Sequence, residues 1–173
     1  MGQLSINKNS KVKIMTKPTI GYGSTAESYD ELYGEEQFEK VLKFQNFVEG
    51  KLLDVGCGTG LSSAFYNGQK FGIDNSIDML KASNQNLLKA CANGEELPFL
   101  ENSFDTVICL TAIHNFNNFQ KGIEEMKRVS KGKIIISILK RSSAYKEIRS
   151  SLLSEKMIEE IDTQKDTIFI LQP

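Results

Sequence analysis

Six short apolar runs bounded by turn residues, with helical spacing in between, limit this chain's fold more than any other feature. The runs are Leu52 to Val55, Lys70 to Ile73, Leu87 to Cys91, Phe104 to Leu110, Lys133 to Leu139 and Thr167 to Leu171, and each reads as a strand. Before the first, Phe38, Val41, Leu42, Gln45 and Val48 recur every three or four residues, the stripe of an amphipathic helix that ends at Gly50. Further helical patterns fall at about Leu61 to Asn67, Ser76 to Ser83, Phe119 to Val129 and Ser143 to Ile161. Alternation of this kind, with runs such as Ile134-Ile135-Ile136 that suit burial on both faces, predicts a parallel sheet covered by helices on both sides.

At 173 residues the chain is sized for one domain. The boundary is drawn at residue 20: residues 1–20 are read as a basic flexible tail and residues 21–173 as the domain. The tail carries Lys8, Lys11, Lys13 and Lys17 without an acid. It reads as a solvated arm, with phosphate contact or a short edge strand as alternatives. It has no apolar h-region of a secretory signal, and no apolar run in the chain approaches the roughly 18 residues that span a bilayer, so a cytoplasmic location with no membrane partner is expected. A formal net charge of -1 lacks the basic excess that by itself suggests nucleic-acid binding. Cys57, Cys91 and Cys109 are odd in number and far apart, which suits neither a disulfide framework nor a zinc site, so three reduced thiols and no metal are expected.

The first strand runs directly into Gly56-Cys57-Gly58-Thr59-Gly60, and a helix follows. Glycines there let the backbone approach a ligand, and a helix start offers unpaired N–H groups. A dinucleotide fingerprint wants G-x-G-x-x-G, but Leu61 stands where its third glycine belongs, and the Gly-Lys-Ser/Thr of a phosphate loop is absent. The turn instead reads D-x-G-x-G-x-G from Asp54 to Gly60. In this it resembles the first motif of the class I S-adenosylmethionine (SAM) dependent methyltransferases, and the resemblance extends over about Tyr29 to Leu139. It implies a Rossmann-like, doubly wound α/β fold with a mostly parallel sheet of six to seven strands. With one helix and one strand after the fifth strand, the C-terminus looks shortened and an exposed sheet edge is expected.

The resemblance implies SAM as cofactor, with S-adenosylhomocysteine as product, held by Asp54, Gly56, Cys57, Gly58, Gly60, Asp74, Asn75, Asn93, Gly94, Glu95, Leu110 and Tyr29. Asp74 ends the second strand, where an acid accepts from both ribose hydroxyls; capping the next helix is its other reading. Asp54 either braces the glycine turn or lies near the ligand's ammonium group. Ala92-Asn93-Gly94-Glu95-Glu96-Leu97-Pro98-Phe99 resembles the family's G-D-A-E-x-L-P-F stretch, with Asn93 where most relatives have the Asp that meets the adenine amino group. Tyr29 lies in a segment like the family's A-x-x-Y-D lid and is read as a lid residue or as packing on the sheet.

Phe104 to His114 resembles the fourth motif, but no Asn/Asp-Pro-Pro-Tyr/Phe follows, which argues against methylation of exocyclic adenine amines or glutamine amides. His114, the only histidine, is the candidate general base; a structural hydrogen bond is the alternative. The expected function is methyl transfer to a small molecule or to RNA, the latter suggested by Lys127, Arg128, Lys131, Lys133, Lys140, Arg141, Lys146 and Arg149. A catalytically silent SAM-binding subunit or sensor that acts through a partner is the alternative. Thr167 to Leu171, apolar and uncharged, is read either as a sticky edge through which a homo- or hetero-oligomer forms or as a strand inserted within the sheet.

Overall fold

The computed structural model describes residues 36–83 and 86–173. Tyr29 and the lysine tail lie outside these residues. A helix over 36–44, α1, passes into a 3-10 turn at Gln45–Phe47 and leads to β1, Leu52–Val55. There follow α2 (Leu61–Ala64), β2 (Lys70–Asp74), α3 (Ile77–Ala82), β3 (Leu88–Cys91), β4 (Phe104–Leu110), α4 (Phe119–Val129), β5 (Ser130–Leu139), α5 (Tyr145–Leu153), β6 (Met157–Asp162) and β7 (Asp166–Leu171). The strands form one seven-stranded sheet in the order β3-β2-β1-β4-β5-β7-β6. β1 to β5 pair in parallel, while β7 runs antiparallel to both β5 and β6.

Period-two alternation along each central strand feeds two cores. Leu53, Val107, Ile134, Ile136, Phe169 and Leu171 face one side, with Ile123, Met126 and Val129 of α4 and Ile148 and Leu152 of α5. Leu52, Ile108, Ile135, Ile168 and Ile170 face the other, with Val41 and Phe44 of α1 and Phe65 and Tyr66. The consecutive isoleucines of β5 are therefore all buried because alternate members serve opposite layers. α4 starts where the Asn118 side chain accepts from the Lys121 N–H at 3.0 Å, and its apolar stripe of Phe119, Ile123 and Met126 turns inward.

The predicted helix from Ser143 to Ile161 is really two elements, since α5 ends at Leu153 and the chain returns as β6. β6 is an edge strand whose Met157 and Ile158 stay exposed, so its apolar residues mark no core face and mimic a helical continuation. The turn between β6 and β7 is closed by Thr163, whose N–H donates to the Asp166 carbonyl at 3.0 Å and whose hydroxyl accepts from the Asp166 N–H at 3.0 Å. The C-terminal hairpin is thus present and the sheet has seven strands, the upper of the two expected counts. β7 is buried throughout and paired on both sides, so residues 167–171 form no sticky edge and the strand is inserted within the sheet. Among the described residues the outermost strands of the sheet are β3 and β6.

β1 has β2 on one side and β4 on the other, so the strand order reverses there. At such a switch point the connections leave in opposite directions and open a crevice beyond the carboxyl ends of the strands.

Candidate active site

The glycine turn occupies that crevice. Gly56, Gly58 and Gly60 have φ of 73°, 55° and 80°, a left-handed region that a side chain makes costly. A Cβ on Gly56 would also come within 2.5 Å of the Ala112 side chain. The N–H groups of Gly56 and Cys57 both donate to the Ile73 carbonyl, at 2.8 and 2.9 Å, which ties the turn to β2. Asp74 completes the brace. Its Oδ2 accepts from the Gly58 N–H and its Oδ1 from the Ser76 N–H, each at 2.8 Å. The cap of α3 itself is the Ser76 side chain, which accepts from Met79. Asp74 thus buttresses the turn, and each oxygen keeps a lone pair for a further donor.

A cavity of about 390 Å³ lies against this turn. Of the residues singled out in the sequence, Gly56, Cys57, Gly58, Asp74, Asn75, Asn93, Gly94, Glu95 and Leu110 line it. Asp54 and Gly60 do not, since Asp54 is buried beneath the turn and Gly60 caps α2. Asn93 Oδ1 accepts from the Glu95 N–H at 2.9 Å, which uses one of that oxygen's two lone pairs and leaves one for a further donor. Glu95 is buried, and its Oε1 accepts from the Asn117 N–H at 2.7 Å, linking the β3 loop to the segment after β4. Gly94 is required by close approach, because a Cβ there would meet Phe116 at 2.5 Å.

Asp54 carries a buried Oδ2 with no hydrogen-bond partner. Burial pushes its pKa up to about 7, against the opposing Ser63 hydroxyl bond; the Asp74 charge adds to the rise and Lys70 opposes it. An unpartnered carboxylate oxygen below a ligand-sized cavity suits a cationic or hydrogen-bond-donating group.

His114 sits on a 3-10 turn, Ile113–Asn115, and does not line the first cavity. It lines a second one of about 740 Å³ with Leu139, Lys140, Arg141, Gln164 and Lys165. Gln37, Thr111 and Asn115 border both cavities. Desolvation holds the His114 pKa below its ordinary value; the Asp166 carboxylate raises it, and Lys40 and Arg141 lower it. The neutral imidazole that results can accept a proton.

Sequence reasoning missed the polar cluster behind this cavity. Lys40 Nζ and Asp166 Oδ2 form an ion pair at 2.8 Å with side chains only 3% and 1% exposed. Lys40 also donates to Thr111 Oγ1 at 2.8 Å. Thr111 has φ of 59°, unusual for a β-branched residue, and its N–H donates to Ser137 Oγ at 2.9 Å. Nothing local in the sequence signals this cluster, because its members come from α1, the end of β4, β5 and β7.

Residues 53–136 match the family model described as a methyltransferase domain. The uncharacterized protein MJ0638 of Methanocaldococcus jannaschii is 37% identical over 124 residues, which cover 68% of this chain and 53% of that protein. A demethylmenaquinone methyltransferase of Corynebacterium urealyticum is 38% identical over 93 residues, covering 50% of this chain and 40% of that enzyme. The chain therefore spans about half the length of these curated relatives. Among solved structures, a SAM-dependent methyltransferase from Aquifex aeolicus superposes with a TM-score of 0.65 at 19% identity, covering 86% of this chain and 98% of that one. Residues 53–136 thus carry a sequence that matches the methyltransferase-domain model, on a sheet whose fold is shared with the solved SAM-dependent methyltransferase and with its glycine turn at the switch point.

Proposed function

We propose that the chain is a methyltransferase that binds SAM against the glycine turn and methylates a small molecule held in the adjoining cavity. The observation that carries this reading is the meeting of the two cavities at Gln37, Thr111 and Asn115, with the brace of Asp74 in one and His114 in the other. The residues of the first cavity fit the cofactor. The remaining lone pairs of Asp74 suit ribose hydroxyls, and the Asn93–Gly94 loop suits the adenine edge. Asp54 does not line the cavity, and its unpartnered oxygen suits the ammonium end only from beneath the turn. When bound, SAM supplies a methyl group on a positively charged sulfur. The chain's own part is then to align the acceptor, keep water out and take up any proton the acceptor releases, the last through His114.

The acceptor is a small molecule rather than RNA in this reading because the basic set is largely neutralised. Lys127, Arg128, Lys131, Lys133, Lys140 and Arg149 pair with Glu155, Glu125, Asp105, Glu49, Asp162 and Glu160 respectively. Cations already matched by carboxylates present little net field to a phosphate backbone. Among the described residues no helix is long and apolar enough to cross a membrane.

The test is incubation of the full chain with tritiated SAM and cell extract, followed by fractionation into RNA, protein and small molecules. Label should appear in the small-molecule fraction. Label in RNA would overturn the acceptor assignment, and SAM binding without label in any fraction would favour a catalytically silent SAM-binding subunit.

A further inference from the structure

β5 ends at Leu139, at the same end of the parallel sheet as the glycine turn, so Lys140 and Arg141 leave the sheet beside the site and line the second cavity. Two of the three cations on that wall have carboxylate partners. Lys140 pairs with Asp162 at 2.7 Å, and Lys165 pairs with Glu36, the one carboxylate among the described residues of the wall. Arg141 differs from both: among the described residues no carboxylate pairs with its guanidinium and no acceptor takes a hydrogen bond from it. Its positive charge bears on His114 and on Lys165 and opposes a charge on either. The rest of the wall is neutral, with amides at Gln37, Asn115 and Gln164, so the cavity carries an unmatched positive charge.

We infer that the second cavity takes an acceptor bearing an oxyanion, a carboxylate or a phosphate group, and that Arg141 is the residue that selects it. The inference rests on the methyltransferase reading for the role of the cavity and adds the charge of the substrate. A guanidinium offers paired N–H donors in a planar fork that matches two oxygens of either group. Asp162, the partner of Lys140, is not on the wall and is 74% exposed, so solvent screens that pair and the wall keeps its positive sign. A cationic acceptor would meet Lys140, Arg141 and Lys165 with Glu36 alone to offset them. The placement of the charge also orients the acceptor. Arg141 borders only the second cavity, whereas Gln37, Thr111 and Asn115 border both, so an anion seated on Arg141 leaves the other end of the molecule free to reach the junction. Binding at the unreactive end then serves alignment at the reactive one.

The chain's single histidine lines the same cavity, so its imidazole signals report on an anion there without SAM or an acceptor. The probes are acetate and inorganic phosphate, added to the 15N-labelled full chain at fixed pH, with sodium chloride at matched ionic strength as the control. At least one probe should move the His114 signals saturably while chloride does not, and Arg141→Gln should weaken that binding about tenfold or more. Arg141→Lys keeps the charge without the fork and should restore part of it. The two probes tell a carboxylate site from a phosphate site. No saturable shift with either, or the same shift in a folded Arg141→Gln protein, would overturn the inference. After incubation with tritiated SAM and cell extract, the labelled small molecule should be retained on an anion exchanger. Labelled product that passes through unretained would also overturn the inference, and would leave the methyltransferase reading standing. Calorimetry separates the two in the other direction. Arg141→Gln should bind SAM as the native chain does, because Arg141 does not border the first cavity. Absent SAM binding in the native chain, with the anion shift intact, would remove the methyltransferase reading and leave the anion site.

Discussion

Asp54 is an acid on β1 that the fold leaves only 1% exposed. It lies under the glycine turn, has an oxygen that nothing satisfies, and its pKa is pushed up to about 7 chiefly by burial. An unfolded aspartate titrates near about 4, so between these values the unfolded chain ionises while the folded one keeps its proton. The stability this group contributes is therefore full below about pH 4 and is lost as pH rises to about 7. Urea unfolding of the ligand-free protein from pH 5 to 7 should show that fall, and Asp54→Asn should flatten it; equal slopes in the two proteins would contradict the assignment. Asp54, Asp74 and the three glycines were legible because they are consecutive or end a patterned strand. The pairing of Lys40 with Asp166 was not, because 126 positions separate them and only the sheet topology brings α1 onto β7.

Among the elements, local patterning served where one face is buried and failed where neither is. α4 was legible from Phe119 to Val129 because its stripe and its Asn118 cap agree. β6 was read as helix because Met157, Ile158 and Ile161 lie on an edge strand that is largely exposed, so no alternation marks a core side. β7 was legible as a strand, and of its two readings, sticky edge or strand inserted within the sheet, the second is the one observed, although β6 was not foreseen as its neighbour. Charge placed on these two strands should separate them. Ile158→Lys, on the exposed edge, should change stability by no more than about 0.5 kcal/mol. Ile168→Lys, fully buried between β5 and β6, should cost more than about 4 kcal/mol and leave little folded protein. Urea unfolding and soluble yield read both, and tolerance of Ile168→Lys would contradict the observed strand order.

For the whole molecule, the sheet order sets where chemistry can happen. Reversal at β1 opens the crevice, the glycine turn and Asp74 furnish one cavity, and the 3-10 turn after β4 carries His114 to the next. The first cavity was largely foreseeable, since its residues follow β1, β2 and β3 at strand ends that the pattern marked. The second was foreseeable only in His114, because its other walls are loops from β5 and the hairpin, whose approach depends on the antiparallel β7. In the proposed function the first cavity holds SAM and the rest of the site is arranged around it. The most direct measurement is calorimetric titration of the full chain with SAM and with S-adenosylhomocysteine, beside Asp74→Ala checked for its fold by circular dichroism. One site per chain is expected for each ligand, with affinity about tenfold or more weaker in the variant because a charged acceptor of ribose hydroxyls is lost. A native protein with this sheet that takes up neither ligand, or a folded Asp74→Ala protein that binds both unchanged, would contradict it.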